Sequence, residues 1–262
     1  MIEILGYVGL AFIPAFILLD AFRGSRSYIA PRWWRVRTLL VTVGAVWLSM
    51  VIATFWAELL GNFTLFDFST LGMWLGALAG ILVYEFVHYW YHRAIHRYDL
   101  LWRFAHQMHH SAEKIDSFGA YYLHPVDVFF FTTWASLVFV PLLGLTAEAT
   151  AIAAAFLTFN AMFQHANIKT PYWLGFVIQR PESHCIHHAR GVHHYNYSDL
   201  PLWDMLFGTF RNPRVPEFTS AGFYNGASTR ILDLLFFQDV SQPESKDPQE
   251  AQLDKNPLSA GA

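Results

Sequence analysis

The sequence predicts an all-α membrane protein in which several helices span the bilayer and carry a helical cap at one membrane face. Three observations predict this fold: an apolar composition, five long apolar segments, and basic residues confined to alternate connections. Of the 262 residues, 54% are hydrophobic and 14% are charged, and that charged share lies well below the roughly 25% of soluble domains. The net charge of −3 gives no basic surface for nucleic acid.

Five apolar segments supply the predicted spans: Ile4–Leu19, Leu39–Leu60, Phe66–Val87, Val126–Leu145 and Thr146–Phe163. A helix needs about 20 residues to cross a bilayer core of about 30 Å, and the second segment is the clearest span. The first is short and interrupted by Pro14. The last two could instead form a hairpin that enters and leaves the membrane without crossing it fully. The alternative is that these segments are buried helices of a large soluble protein, but soluble cores rarely contain several long apolar segments with almost no charge.

Lysine and arginine fall in alternate connections, which predicts the orientation. The connection between the first two segments holds five arginines, whereas Gly61–Asn62 and the Gly144–Thr146 turn hold none. Because cytosolic loops carry an excess of Lys and Arg, five crossings would place the N-terminus outside and every basic connection in the cytosol. We therefore expect a multi-pass protein of the inner or plasma membrane in a bacterium, or of the endoplasmic reticulum in a eukaryote.

The chain is predicted to be one membrane-embedded domain, residues 1–237, followed by a tail. Residues 238–262 are rich in Gln, Glu, Pro and Ser and lack the apolar residues that order a segment, so we expect a disordered cytosolic tail. The single cysteine, Cys185, excludes an intramolecular disulfide framework and a cysteine-ligated iron–sulfur cluster. GxGxxG, Walker and CxxC motifs are absent from the sequence, so other residues would have to hold any reactive cofactor.

Thirteen histidines lie between residues 88 and 194, and this topology directs all of them to one membrane face. HQMHH at 106–110 and HCIHH at 184–188 share the spacing H-x-x-H-H, and HRAIH at 92–96 is an i, i+4 pair. On a helix these positions lie on one face, so each triad could aim its imidazoles at one point. The nine candidate metal ligands are His92, His96, His106, His109, His110, His165, His184, His187 and His188. Nine imidazoles exceed the four ligands of one tetrahedral zinc, whereas two metals fit the number, and nitrogen-rich sites with open positions suit iron.

Four other histidines are weaker candidates. His88 continues the 92–96 stripe by one turn, either as a ligand or as a group supporting a ligand. His124 opens HPVD, where it would begin a helix or contact a metal, and His193 and His194 lie in a predicted loop beyond the last triad. Ligating histidines usually donate their second ring nitrogen to a carboxylate or a carbonyl. Three carboxylates are candidates for that support: Glu85, Glu113 and Asp127.

In this order, the motifs resemble the histidine boxes of the fatty acid hydroxylase/sterol desaturase superfamily of membrane oxygenases. The resemblance covers about residues 84–211 and rests on YWYHRAIH (89–96), WRFAHQMHHSAE (102–113), HPVD (124–127), FQHANI (163–168), SHCIHH (183–188) and NYSDLPLWDMLFGTFR (196–211). By this resemblance, His92 and His96 form the first box and the two H-x-x-H-H triads form the second and the last. His165 is then the lone histidine between them. Ser198 stands where the family usually has glycine.

The resemblance implies a pair of iron ions that activates O2 and oxidises an unactivated C–H bond of a lipid entering from the bilayer. Hydroxylation and desaturation are both known in the family, and we expect hydroxylation. Side chains alone cannot perform this oxidation, so a metal or organic cofactor is required. Each turnover also needs two electrons. Since the sequence has no haem, flavin or iron–sulfur motif, we expect an external donor, either a reductase with a ferredoxin or a cytochrome b5-like protein.

Two rival functions stay open at this level. A metal transporter would place its ligands inside the spans near the midplane, whereas most of these histidines follow the spans. A bis-histidine haem protein needs only two axial ligands per haem, which leaves the triads without a role. The sequence does not indicate which lipid would be oxidised or what the oligomeric state is.

Overall fold

The computed structural model describes residues 2–215, 218 and 220–243, and this part of the chain is helical without a β-strand. Residues 244–262, most of the predicted tail, lie outside the described residues. Five long helices form a bundle: α1 (Ile2–Phe22), α2 (Trp34–Leu60), α3 (Gly72–Arg97), α4 (Pro125–Leu137) and α5 (Ala147–His165). Two short helices, α6 (Pro181–His187) and α7 (Pro201–Phe207), belong to the cap. Each long helix covers most of one predicted apolar segment, so the all-α, multi-span prediction is confirmed.

Two of the differences between the helices and the predicted segments have a clear physical reason. Pro14 does not interrupt α1, which continues to Phe22, because a break inside a bilayer would leave backbone polar groups without partners. α3 continues ten residues past Val87, the predicted end of the segment. Its last turns are polar because they carry the first histidine box, and those side chains point inward to other histidines.

Four helical stretches are long and apolar enough to cross a membrane: Ile2–Phe22, Trp34–Leu60, Ser69–Arg97 and Pro125–Leu142. The third begins with a 3-10 turn before α3, and the fourth adds a π-helical turn to α4. α5, the fifth predicted crossing, is not among them, although it has 19 residues. It packs between α1 and α3, so its polar residues are shielded from lipid.

The two ends of the bundle differ: one is formed by the helix connections without histidines, and the other carries the histidines. At the distal end, the backbone N–H groups of Leu65 and Phe66 donate to the carbonyls of Pro141 and Leu142, which joins the α2–α3 connection to the α4–α5 turn. At the histidine end, α3 and α5 finish while α2 and α4 begin. α1 runs parallel to α5, with Phe12 against Phe159. All five helices therefore run between the distal end and the histidine end of the bundle.

Small residues allow α3 and α5 to pack closely. A Cβ on Gly76 would lie 3.2 Å from the Cβ of Ala149, and a Cβ on Gly80 would lie 2.7 Å from a methyl carbon of Leu145. Close approach through small residues is a common way for helices to pack in membranes. These close contacts lie near the starts of α3 and α5, at the distal end. The opposite ends of both helices carry candidate ligands.

Buried carboxylates attach the cap to the bundle. Asp20, near the end of α1, accepts hydrogen bonds from the backbone N–H groups of Ser117 and Asn167. The indole N–H of Trp34, at the start of α2, donates to Asp116. These contacts hold the loops of the cap over the histidine end.

Candidate metal centre

Helices or helix ends position all nine candidate ligands. α3 presents His92 and His96 one turn apart, and His165 is the last residue of α5. The second box spans a π-helical turn, Trp102–His106, and a short helix, Gln107–His110. α6 carries His184 and His187, and His188 is its C-terminal cap.

The nine histidines converge into two adjacent groups. One group has five members: His92, His96, His106, His110 and His187. The other has four members: His109, His165, His184 and His188. Within each group, the nearest ring nitrogens all lie within 4.8 Å of one another. The rings of His110 and His188, one from each group, stack at 4.1 Å between centroids, so the two groups are in direct contact.

The expectation that each triad aims at one point was wrong, because each triad divides between the groups. His106 and His110 belong to the group of five, whereas His109 belongs to the group of four. The last box does the reverse: His187 joins the group of five, and the other two join the group of four. On a helix, positions i and i+4 lie about 40° apart and position i+3 lies about 60° to the other side. The H-x-x-H-H spacing therefore lets one turn of helix serve two neighbouring sites.

Hydrogen bonds fix the tautomers of two facing rings, and this tests whether the site fits a cation. The Nδ1–H of His92 donates to the carbonyl of Tyr197 at 2.7 Å, and the Nδ1–H of His106 donates to Asp127 at 2.6 Å. In each neutral ring, Nε2 is then a lone-pair acceptor. These two Nε2 atoms lie 2.9 Å apart and have no hydrogen to share. A cation bound by both removes the repulsion.

In two further pairs, one in each group, a hydrogen bond fixes the tautomer of one of the two rings. The Nδ1–H of His187 donates to the carbonyl of Tyr195, and its Nε2 lies 3.1 Å from that of His110. The Nδ1–H of His165 donates to the carbonyl of Ala161, and its Nε2 lies 3.1 Å from that of His184. The arrangement fits two cations, one for each group.

Burial keeps these rings neutral, as metal ligands must be. It lowers the pKa of six ligand candidates outside the membrane spans well below 6.5, and the neighbouring rings lower it further: His106, His109, His110, His184, His187 and His188. Burial penalises the charged imidazolium. The lone pairs therefore remain available to a metal at neutral pH.

Buried carboxylates surround the centre. The ion pairs that Glu85 and Asp127 make within the described residues are with histidines. Burial raises the pKa of Asp199 to about 7 and that of Asp204 to about 6. Buried negative charge is costly without a counter-charge, and two divalent cations beside these four carboxylates would provide one.

A model of the fatty acid hydroxylase family matches residues 77–209, just over half of the chain. The chain belongs to the fatty acid hydroxylase family. The match contains all nine clustered histidines, and it agrees with the resemblance found in the sequence.

The family relatives named here act on lipids. The chain is 28% identical over 182 residues to the ornithine lipid hydroxylase OlsE of Rhizobium tropici, covering 68% of the chain and 53% of the relative. It is 30% identical over 144 residues to the alkylglycerol monooxygenase of Homo sapiens, covering 52% and 30%. It is 24% identical over 150 residues to sphinganine C4-monooxygenase 1 of Arabidopsis thaliana, covering 56% and 58%. The matched part of the chain thus spans from 30% to 58% of the length of these relatives. No solved structure matches it.

The four weaker histidine candidates lie outside the two groups. His88 forms a third buried group with Glu85 and Asp199, and its ring stacks on that of His92 at 5.4 Å between centroids. His124 caps the start of α4, where its Nδ1 accepts from the N–H of Val126.

The last two weaker candidates differ from each other. His193 is half-buried, and its Nδ1 lies 3.0 Å from Nδ1 of His110; burial lowers its pKa to about 4. His194 contacts the carbonyl of Val192 and joins neither group.

The supporting groups were predicted in part. Asp127 accepts from a candidate ligand, but Glu113 instead accepts from the backbone N–H groups of Gly226 and Ser228. Three of the supports are backbone carbonyls, which carry no sequence signal because every residue has one. Asp199 was also missed, since it lies in a motif noted only for its likeness to the family.

A cavity of about 640 Å³ opens beside the centre and extends through the bundle of this family member. Histidines of both groups border it, including His92, His106, His109, His165 and His184. From there it runs between the helices to Val140 and Thr150 near the distal end. Its volume lies in the range of sites for small-molecule ligands. We call this cavity the chamber.

Proposed function

We propose that this chain is an integral membrane oxygenase that binds two iron ions through nine histidines and hydroxylates a C–H bond of a lipid with O2. One observation carries the proposal: buried imidazole nitrogens converge in two adjacent groups, and in each group at least one Nε2 lone pair is fixed by a hydrogen bond on the opposite ring nitrogen. Family membership supports iron, and the lipid-modifying relatives support the substrate class. When bound, the iron pair would supply the activation of O2 and the oxidation of the C–H bond.

The residues of the chain hold and enclose this centre. The groups of five and four histidines would each hold one ion, and the shared triads would keep the ions adjacent. Asp127 and the carbonyls of Ala161, Tyr195 and Tyr197 orient the rings. The cap covers the centre from the aqueous side, and the chamber gives access from the bilayer side.

The reaction consumes two electrons and two protons for each lipid: the C–H bond becomes C–OH, and the second oxygen atom leaves as water. The electrons would come from an external reductase with a ferredoxin, or from a cytochrome b5-like protein. Such a donor would approach the cap. The arginine-rich α1–α2 connection supports a cytosolic position for that face.

The geometry disfavours the two rival functions. The candidate ligands lie at the ends of α3 and α5 and in the cap, whereas transporters place ligands near the midplane. Within each group four or five ring nitrogens converge to within 4.8 Å of one another, whereas haem needs two and would require space for a macrocycle between them.

The test combines metal analysis with product analysis. Purified protein should contain about two irons per chain, and cells expressing it should accumulate a lipid that gains one 18O atom from 18O2. His184→Ala should lower the iron content and abolish the product, whereas His194→Ala, a matched control outside both groups, should keep both. One zinc or no metal per chain, or a product without 18O, would contradict the proposal.

A further inference from the structure

The chamber is polar at the histidine end and mainly apolar beyond it. Gln164 and Asp199 border it beside the histidines, and the Nε2–H of Gln164 donates to Asp199 at 2.9 Å. Further along, the lining is dominated by side chains such as Leu10, Val46 and Leu157, with a few hydroxyls. A lipid with a polar head and one long chain matches this division.

Asp199 borders the chamber and can accept further hydrogen bonds, whereas the neighbouring Glu85 and Asp204 do not border it. Oε2 of Glu85 accepts three hydrogen bonds from residues 198–200, and Asp204 accepts from the N–H groups of Tyr197 and Ser198 and from Thr209. Asp199 accepts one hydrogen bond from a protein side chain. It therefore remains able to accept from a ligand in the chamber.

The charge of the lining limits the head group. The chamber is bordered by Asp199 and, among the described residues, by no lysine or arginine. Glu85 lies directly behind, where it accepts from the N–H of Asp199. A carboxylate or phosphate head placed at this position would lie directly against the ionised Asp199, with no lysine or arginine of the lining between them, which is unfavourable. A hydroxyl or an amine can donate to Asp199.

The chamber also opens toward the bilayer between α1 and α2. Leu10 and Met50 border it, yet they are 43% and 58% exposed. Ala53 and Thr54 also border it and are exposed. α1 packs against α5, and α2 packs against α4, which leaves this side of the chamber bounded by the two helices. The exposed lining residues lie from the middle of the bundle toward its distal end.

Resting on the proposed oxygenase function, we propose that the substrate is a single-chain lipid whose head donates hydrogen bonds and carries no negative charge. Its head binds at Asp199 and Gln164, and its chain leaves the chamber between α1 and α2. The oxidised carbon is then close to the head, because the head site lies beside the histidines.

The chamber also sets the length of the enclosed chain. Its lining on α5 runs from His165 to Thr150, which at about 1.5 Å per residue is about 22 Å. With carbon–carbon bonds of about 1.5 Å in a zigzag, that length holds on the order of 17 carbons. Longer chains would extend through the opening into the bilayer.

Binding of four 18-carbon probes to the metal-loaded protein tests the head site without requiring turnover. The probes are tritiated 1-octadecanol, octadecylamine, stearate and octadecane, measured in nanodiscs. We expect the alcohol and the amine to bind at least tenfold more tightly than stearate and octadecane. In Asp199→Asn, which keeps an acceptor but loses the charge, the discrimination against stearate should fall at least tenfold. Equal binding of stearate and octadecanol to the unaltered protein would overturn the head assignment.

A pair of tryptophan substitutions tests the opening. Ala53→Trp, on the lining, should weaken octadecanol binding at least tenfold, whereas Val51→Trp, exposed on α2 but not on the lining, should not. Equal effects of the two would overturn the route between α1 and α2. Metal content, measured on each sample, separates the two proposals. Protein that lacks the two irons but shows the expected probe selectivity would refute the proposed oxygenase function. The proposed lipid site would stand.

Discussion

At the scale of single residues, the candidate centre depends on which ring nitrogen carries the proton. Asp127 fixes this for His106, because a buried carboxylate 2.6 Å from Nδ1 requires a hydrogen there. The Nε2 atom of His106 therefore carries a lone pair, and this lone pair faces the other histidines of the five-histidine group. Removing such a support typically lowers metal affinity by about 10–100-fold.

We therefore expect Asp127→Ala to weaken metal binding about 10–100-fold in the group that contains His106. Competition with a chelator, followed by metal analysis, measures this loss. Asp99→Ala is the control, since Asp99 is an exposed carboxylate paired with Arg103, and it should retain the metal. Metal retention in Asp127→Ala equal to that of the control would show that the hydrogen bond does not support a ligand.

Sequence spacing identified the nine clustered histidines because imidazole is rare and chemically distinctive. It did not identify how they divide. His109 and His110 are adjacent in sequence but belong to different groups, and this depends on the direction of each side chain around a helix turn. It also missed the carbonyl supports, two of which depend on the folding of the 195–197 loop.

At the scale of structural elements, the second box shows a feature that spacing does not reveal. Trp102–His106 is a π-helical turn that passes directly into the short helix Gln107–His110. A π-turn is rare and often lies at a functional site. Here it gives His106 a different angular position from that of a continuous α-helix. The segment that follows the box is in turn held by residues 221–228.

Gly222 sets how closely this later segment approaches the second box. Its φ is +73°, and a Cβ there would lie 2.8 Å from the carbonyl oxygen of Ser111. Gly191 has a similar φ of +76° with no atom within 4 Å of its Cβ position. Both Ala variants have the left-handed cost of about 1–2 kcal/mol, so the pair isolates the steric contact.

We expect Gly222→Ala to lower the free energy of unfolding by at least about 1 kcal/mol more than Gly191→Ala does. Denaturant titration in mixed micelles measures both variants. Equal losses would mean that residues 221–228 shift without cost and do not hold the second box in place.

At the scale of the whole molecule, composition predicted the bundle because a bilayer leaves few alternatives to long helices. α5 was harder to predict as a crossing helix. It is shielded by α1 and α3, and Asn160 and Gln164 are buried in it, so its composition reflects contacts with protein rather than with lipid. The position of the chamber could not be predicted, since its lining comes from all five long helices and depends on how they pack.

The orientation of the bundle gives the last prediction. The two ends differ in basic residues, and from the positive-inside rule we expect the histidine end to lie in the cytosol. Asn62→Cys marks the distal end, and Asp99→Cys marks the histidine end; both positions are exposed, whereas the native Cys185 is buried. A membrane-impermeant maleimide added to intact cells should label Asn62→Cys at once and Asp99→Cys only after lysis. The reverse pattern would place the centre on the outer side, where cytosolic electron donors could not reach it.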